Sequence, residues 1–297
     1  MSQNLRDLAI AAFRKTAEEA YQQGSKLREY VMVAPDVEAE TYRWPIFGSG
    51  DTVQRASQAP IVTANTQNKK PMSHLTPREF FERIDRYDNA LTNVEAMRHY
   101  GMIAGKAVSR QYDEDIIEAL KTFDTNAYSR TGLVATDMQV TVAAKMAAGS
   151  QPANPGLGAA DLRKAVGIAM GEMDESSDLC LVYPNDQFEN LAGELQLASS
   201  DYMQGAGGVT RTGRFEELYG CKPIFIGQNA RRAGHGQLPS KRAYVFHKKA
   251  IGLAIGKIDN LTINEWDPNT QTTIIGAMAL AGATRINNGG VVEIIPP

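Results

Sequence analysis

GSGDTVQRASQAPIVTANTQNKKPMSHLT, residues 48–76, is a stretch that cannot bury itself. Its only large apolar residues are Val53, Ile61, Val62, Met72 and Leu75, scattered among Ser, Thr, Gln, Asn, Lys, Pro and Gly. Fixing one backbone residue costs roughly 1–2 kcal/mol, so an ordered stretch of this length needs extensive burial, worth about 25 cal/mol per Å², to offset it. No private core can form from these side chains, and the surface that covers them is expected to belong to another subunit. Structureless loops of this length are uncommon in compact domains unless they are functional or disordered. The stretch lies within a polar, strand-like arm from Tyr30 to Tyr87, which runs into a long amphipathic helix starting near Leu91.

Within the arm, Val37 to Phe47 reads as extended, with Tyr42 and Trp44 on one face and Pro45 limiting further pairing. On the return, two signals conflict. Thr76, Pro77 and Glu79 have the form of an N-cap, a first-turn proline and a capping-box acid, whereas Phe81 and Arg83 to Tyr87 suit a strand. The expectation is a short helical turn at most, then a strand. Beyond the arm, Leu91, Val94, Met97, Gly101, Ala104, Val108, Tyr112, Ile116, Leu120 and Phe123 recur every three or four positions. That spacing predicts one helix of about 30 residues, or two nearly collinear ones, spanning roughly 45 Å. Thr92 and Glu95 supply a capping box at its start.

Further along, residues 152–158 read as a linker, and Leu162, Val166, Ala169 and Met173 give a second amphipathic helix. Leu179 to Tyr183 is a buried-strand run that Pro184 ends, with a third helix on Phe188, Leu191 and Leu195. The composition of Gly205 to Gly213 is that of a loop, and Pro223 to Ile226 is apolar. Strands are expected at Leu261–Trp266, Gln271–Ile286 and Val291–Ile295, with turns at Asp267–Asn269 and Asn287–Gly290. At the other end, Leu5, Leu8, Ala9, Ala12, Phe13, Thr16 and Ala20 share a helical face that Gly24 closes. That helix packs on its own protein or docks on a neighbour. Helices in the middle and strands at both ends make the chain α+β.

The totals narrow the function. A chain of 297 residues with 43% hydrophobic and 22% charged content is an ordinary globular protein with room for about two domains. With 31 basic and 34 acidic side chains the formal net charge is -3, and the basic residues are dispersed, so bulk charge gives no support for strong nucleic-acid or membrane binding. Asp7, Arg14, Lys15, Glu18 and Glu19 interrupt any signal-peptide core, and no apolar run long enough to span a membrane stands out. A soluble protein made in a cytoplasm is expected, so the sequon Asn260-Leu-Thr262 carries no weight.

Catalytic chemistry is hard to find. Gly101-Met-Ile-Ala-Gly105-Lys106 and Gly252-Leu-Ala-Ile-Gly256-Lys257 fall one residue short of a phosphate loop, and neither Lys is followed by Ser or Thr. Gly101 and Gly105 are expected instead to let another segment approach the long helix. His74, His99, His235 and His247 show no metal-ligand spacing, and Cys180 and Cys221 are read as packing residues. Asp113, Glu114, Asp115 and Glu118 are read as a solvated face or as partners of Arg110 and Lys121. No Ser sits in a nucleophile-elbow pattern, and no cofactor or metal is expected.

Four phrases, in order, resemble one family. They are Asp85-Arg-Tyr-Asp88-Asn89 leading into the long helix, Ala104-Gly105-Lys106-Ala107 with Arg110-Gln-Tyr-Asp113-Glu-Asp115, Leu179-Cys-Leu-Val-Tyr183-Pro184, and Lys249-Ala-Ile-Gly252-Leu-Ala. Over about residues 37 to 295 the chain resembles the major capsid proteins of tailed bacteriophages, which share the Hong Kong 97-type capsid fold. The resemblance implies an N-terminal arm (1–29), an extended β-hairpin loop or E-loop (30–87), a peripheral domain with a long spine helix and terminal strands (88–124 and 245–297), and an axial domain (125–244). It implies self-assembly through hexamers and pentamers into an icosahedral virion shell around double-stranded DNA, without sequence-specific binding and without catalysis. Trp44, Arg55, Lys69, Lys70 and Arg78 become candidates to meet acidic or apolar surface on the next subunit.

A portal at one vertex is implied as well. Some family members begin with a scaffold domain of about a hundred residues, and this chain starts with a short helix, so a separate scaffolding protein is expected. No Lys, Asn and acid stand out as a covalent cross-linking set. Two other readings remain open: an encapsulin-like compartment shell, whose particles would hold cargo protein rather than DNA, and a soluble enzyme, which would sediment as a small oligomer.

Overall fold

Leu179 to Pro184 is buried at every position because both of its faces are covered. In the computed structural model this segment, β6, alternates its side chains between two cores. Leu179, Leu181 and Tyr183 point into one; Cys180 and Val182 point into the other. The structure describes residues 25–46, 68–85, 96–129, 132–141, 157–173, 178–185, 187–188, 191, 217–227, 238, 242–256, 265–267 and 272–295. The N-terminal helix, the capping box at Thr92 and Glu95, the linker at 152–156, the loop at 205–213, most of the third helix and the strand from Leu261 to Asn264 lie outside them.

Two five-stranded sheets organise the described chain. The first holds β1 (Met32–Val37), β4 (Thr76–Asp85), β9 (Ile251–Gly256), β10 (Glu265–Asp267) and β11 (Thr272–Arg285). The second runs β5 (Gln139–Thr141), β12 (Val291–Ile295), β8 (Ala243–His247), β6, β7 (Cys221–Ile226). A two-stranded hairpin of β2 (Thr41–Arg43) and β3 (Met72–His74) forms a third sheet, packed against β9 and β11 of the first. The long helix, α1, runs Ala96–Lys121 over 26 residues, about 39 Å at 1.5 Å per residue. Ala104, Tyr112, Ile116 and Leu120, four members of the expected stripe, are buried. The second helix, α2 (Ala159–Met173), buries Leu162, Val166 and Ala169 as its periodicity predicts.

The second sheet is sandwiched. On one face α2 packs with Leu179, Leu181, Val245 and Val292. On the other, Ile116, Ile117 and Leu120 of α1 meet Val182, Ile224, Tyr244 and Phe246, together with Ile251 and Ala281 of the first sheet. A fully buried Leu, Ile or Phe contributes roughly 1.5–3 kcal/mol, so these cores account for why the middle and the end of the chain fold as one body. Cys180 and Cys221 are buried free thiols, both pushed up to about 12 by burial. Glu293 ties the strands laterally: its Oε1 accepts from Arg242 Nη1 at 2.7 Å and Tyr244 Oη at 2.9 Å, and its Oε2 from Gln139 Nε2 at 3.1 Å.

Several expectations change here. Thr76 to Asp85 is one strand without a helical turn, because β11 offers antiparallel pairing at every position from Ala281 to Thr272. Pro77 is tolerated since, among the described residues, β4 pairs on one side only. Residue 245, where the resemblance begins the second part of the peripheral domain, lies inside β8, and β12, which the resemblance assigns to the same part, pairs with β5 and β8. Finally, a Cβ at Gly105 would meet nothing within 4 Å, so no described segment approaches α1 there.

Candidate functional site

The arm leaves the body through the β2–β3 hairpin, in register Thr41↔His74, Tyr42↔Ser73, Arg43↔Met72, with a further bridge Ile46↔Lys69. Main-chain bonds from Trp44 N to Pro71 O at 2.9 Å and from Leu75 N to Glu40 O at 2.9 Å extend the ladder at either end. Alternation along β3 aims Ser73 and Leu75 inward, at 0% and 4% exposure, between exposed Met72 and His74. Trp44 joins them. Its Nε1 donates to Ser73 Oγ at 2.8 Å, and its ring meets Tyr42 edge-on with centroids 4.8 Å apart. Ala34, Val37, Ala254 and Ile286 complete a small cluster around Trp44 and Leu75.

The root of the arm therefore has the core its sequence does not promise. Residues 47–67 lie outside the described residues. Two glycines make the root possible. At Gly252 a Cβ would come within 2.5 Å of the Trp44 ring, and at Gly282 it would collide with the main chain of His74 and Leu75.

A second set of contacts fastens the neighbouring elements to α1. Asp113, read from sequence as part of a solvated acidic face, is fully buried. Its carboxylate accepts from Ser25 Oγ at 2.8 Å, Lys26 N at 3.0 Å and Leu27 N at 3.0 Å, fixing the point where the described chain begins. Two residues on, Asp115 Oδ1 accepts from Arg78 Nη2 of β4 at 3.2 Å and from Gln111 Nε2 at 3.1 Å. Of the acidic group, Glu118 does pair with Lys121, at 3.2 Å. At the end of α1, Arg285 Nη2 bonds Leu120 O, a cation placed where the helix dipole favours it, and burial pushes its guanidinium down to about 10.

Burial pushes the Asp115 carboxyl up to about 6, with Gln111 and Arg78 opposing the shift and Glu114 adding to it. A folded pKa above the unfolded one means that this group's contribution to stability is fully present below about 4 and lost as pH rises through about 6. Asp115→Asn, which keeps an acceptor for Arg78 and Gln111, is expected to be more stable than the parent at pH 8 by on the order of 2 kcal/mol. Thermal melts at pH 8 and pH 4 check this; the advantage should vanish at the lower pH.

The five residues singled out by sequence are not gathered in one place. Trp44 is turned into its own subunit and 6% exposed, so its ring is committed within the chain. Lys69 Nζ donates to Thr125 O at 3.1 Å across a groove beside the arm, Lys70 is exposed, and Arg78 holds Asp115. Arg55 lies outside the described residues. Sequence reasoning missed Asp113, Ser73 and Gly282. The signal available for Ser73 was its place two residues before Leu75 on a strand, which puts both on one face.

Among the described residues no cluster of His, Cys, Asp and Glu could hold a metal ion, and no helix is long and apolar enough to cross a membrane. No curated protein matches the chain. Solved structures do. The mature capsid of bacteriophage PhiM1 is 16% identical with a TM-score of 0.66, covering 94% of this chain and 89% of that one. The capsid of cyanophage P-SCSP1u is 15% identical with a TM-score of 0.67, covering 99% and 95%. The head of Helicobacter pylori bacteriophage KHP40 is 10% identical with a TM-score of 0.68, covering 94% of each chain. At these identities the likeness speaks for the fold, an α+β arrangement of the Hong Kong 97 type. A family model described as phage capsid protein matches residues 5–295. On that match across nearly the whole length, the chain belongs to the phage capsid protein family and is a structural protein of the virion rather than an enzyme.

Proposed function

We propose that this chain is the major subunit of an icosahedral phage head, assembled through hexamers and pentamers around double-stranded DNA. The observation that carries this reading is the arm root. A hairpin pinned by Trp44, Ser73 and Leu75 is rigid where it leaves the body, and the polar residues that follow find their cover on an adjacent subunit. Such head-to-tail contacts close into rings when the rotation between copies allows it. The first sheet and α1 form the peripheral domain; the second sheet and α2, with β12 included, form the axial domain at the capsomer centre. Lys70, Arg55 and the exposed part of Arg78 are the arm's side chains that reach the neighbour. A separate scaffolding protein directs curvature during assembly, a portal occupies one vertex, and the inner wall holds DNA without reading its sequence.

Negative-stain microscopy of the purified protein, expressed alone and with a scaffolding protein, tests this reading. Capsomers, tubes or closed particles are expected. A strictly monomeric, well-folded product under both conditions would sink it. Particles filled with cargo protein and free of DNA after infection would replace the phage head by a cellular compartment.

A further inference from the structure

Strand β11 has an open edge. Pairing with β4 ends at Ala281↔Thr76, where the chain turns away to Leu75 and β3, while β9 continues along the opposite edge to Arg285. From Gly282 to Arg285 the edge once lined by β4 therefore carries no strand among the described residues. Main-chain groups alternate sides along a strand. Ile286 N donates to Ala250 O on the β9 side, so the N–H and C=O of Ala283, and the N–H of Arg285, turn to the open one.

That edge borders a groove of about 290 Å³, with Thr76, Arg78, Asp115, Thr122 and Arg285 among its lining. It runs on into the space beside the arm root, since His74, Asp124 and Thr284 line both. Two buried polar atoms in its wall have no hydrogen-bond partner among the described residues: Asp115 Oδ2, an acceptor, and Arg285 Nε, a donor. Arg285 is only 5% exposed. Leaving such groups unpaired costs about 1–3 kcal/mol each. A lone cation would serve only Asp115, and a lone anion only Arg285. Water or a peptide group, each both donor and acceptor, answers both, and an extended chain of peptide groups alone also answers the open edge.

We infer that this groove receives an extended main-chain segment of a second copy of the protein, laid along β11 where β4 departs. The occupant is a second copy because a capsid protein meets its own surface at high local concentration and because the groove is continuous with the root of the arm. The inference rests on the shell reading above. It adds a specific receiving site, formed by main chain on one side and by Asp115 and Arg285 on the other.

Hydrogen exchange read by mass spectrometry on the native protein, as dissociated subunits and as assembled particles, tests it. Exchange across residues 282–286 should slow by at least about tenfold on assembly, while residues 252–254, already paired on both sides, should change far less. Ala283→Pro, which removes an outward N–H at the middle of the open edge, should lose closed particles while keeping the parent circular dichroism spectrum. Equal exchange of 282–286 in subunits and particles overturns the inference and leaves the shell reading standing. So does protection already complete in the isolated subunit, which would mean that the protein's own chain fills the groove. Failure to form any assembly overturns both.

Discussion

Gly282→Ala is expected to be the most damaging single-methyl change among the described residues. The added carbon would collide with the carbonyl of His74, and the neighbouring atoms are main chain, so no side-chain rotation relieves the clash. Small-to-large changes in a packed interior cost typically 1–3 kcal/mol; here about 3 kcal/mol or more is expected, because β3 must leave β11 to make room. The loss spreads from there, since displacing His74 unseats Ser73 and Leu75 and with them the Trp44 hydrogen bond. A fall in Tm of about 10 °C or more, together with loss of particles, is the outcome to look for. Gly105→Ala is the control. It meets nothing within 4 Å and exchanges glycine for the better helix former, so the Tm of its monomer should stay level or rise.

The second large effect concerns assembly and leaves folding almost untouched. Replacing residues 49–66 with a short turn while retaining 68–76 should preserve the monomer's Tm to within a few degrees, because the root's hydrogen bonds and its small apolar cluster lie outside the deleted stretch. Closed particles should disappear altogether. Removing residues 68–76 as well should lower stability sharply, since Leu75 and Ser73 are buried. Melting curves and negative-stain images of the two deletions separate an arm that holds the subunit together from an arm that holds subunits to each other. A variant of the first kind that still forms normal shells would contradict the proposed role of the arm.

The difference between those two deletions marks where the sequence is legible and where it is not. Helical spacing picks out α1 and α2, and the uninterrupted apolar run at Leu179–Tyr183 picks out a strand covered on both faces, because one-dimensional periodicity reports directly which side of an element is buried. It does not report what lies opposite. Thr76-Pro77-Arg-Glu79 carries real helix-start chemistry, and it becomes strand only because β11 supplies ten partners in register. Asp113 has the same local context as Glu114, yet one is clamped by Ser25, Lys26 and Leu27 and the other is not. The glycines teach the same lesson: a Cβ at Gly105, in a small-residue motif, meets no described residue, whereas Gly282, in an alanine-rich strand, is required by a long-range contact. For the candidate site, composition identified the polar arm. The anchoring of its root by Trp44 and Ser73, and the open edge beside it, depend on residues far apart in sequence.

One turn of α1 carries a mechanical consequence. Asp113 grips the N-terminal segment and Asp115 grips β4, and two positions apart on a helix point to roughly opposite sides. A pull on the arm from a neighbouring subunit is therefore delivered to residues 111–115 and handed across the helix to Ser25 and Lys26. The helix serves as a crosspiece between two tethers, so tension in one is felt in the other without any rearrangement of the two cores.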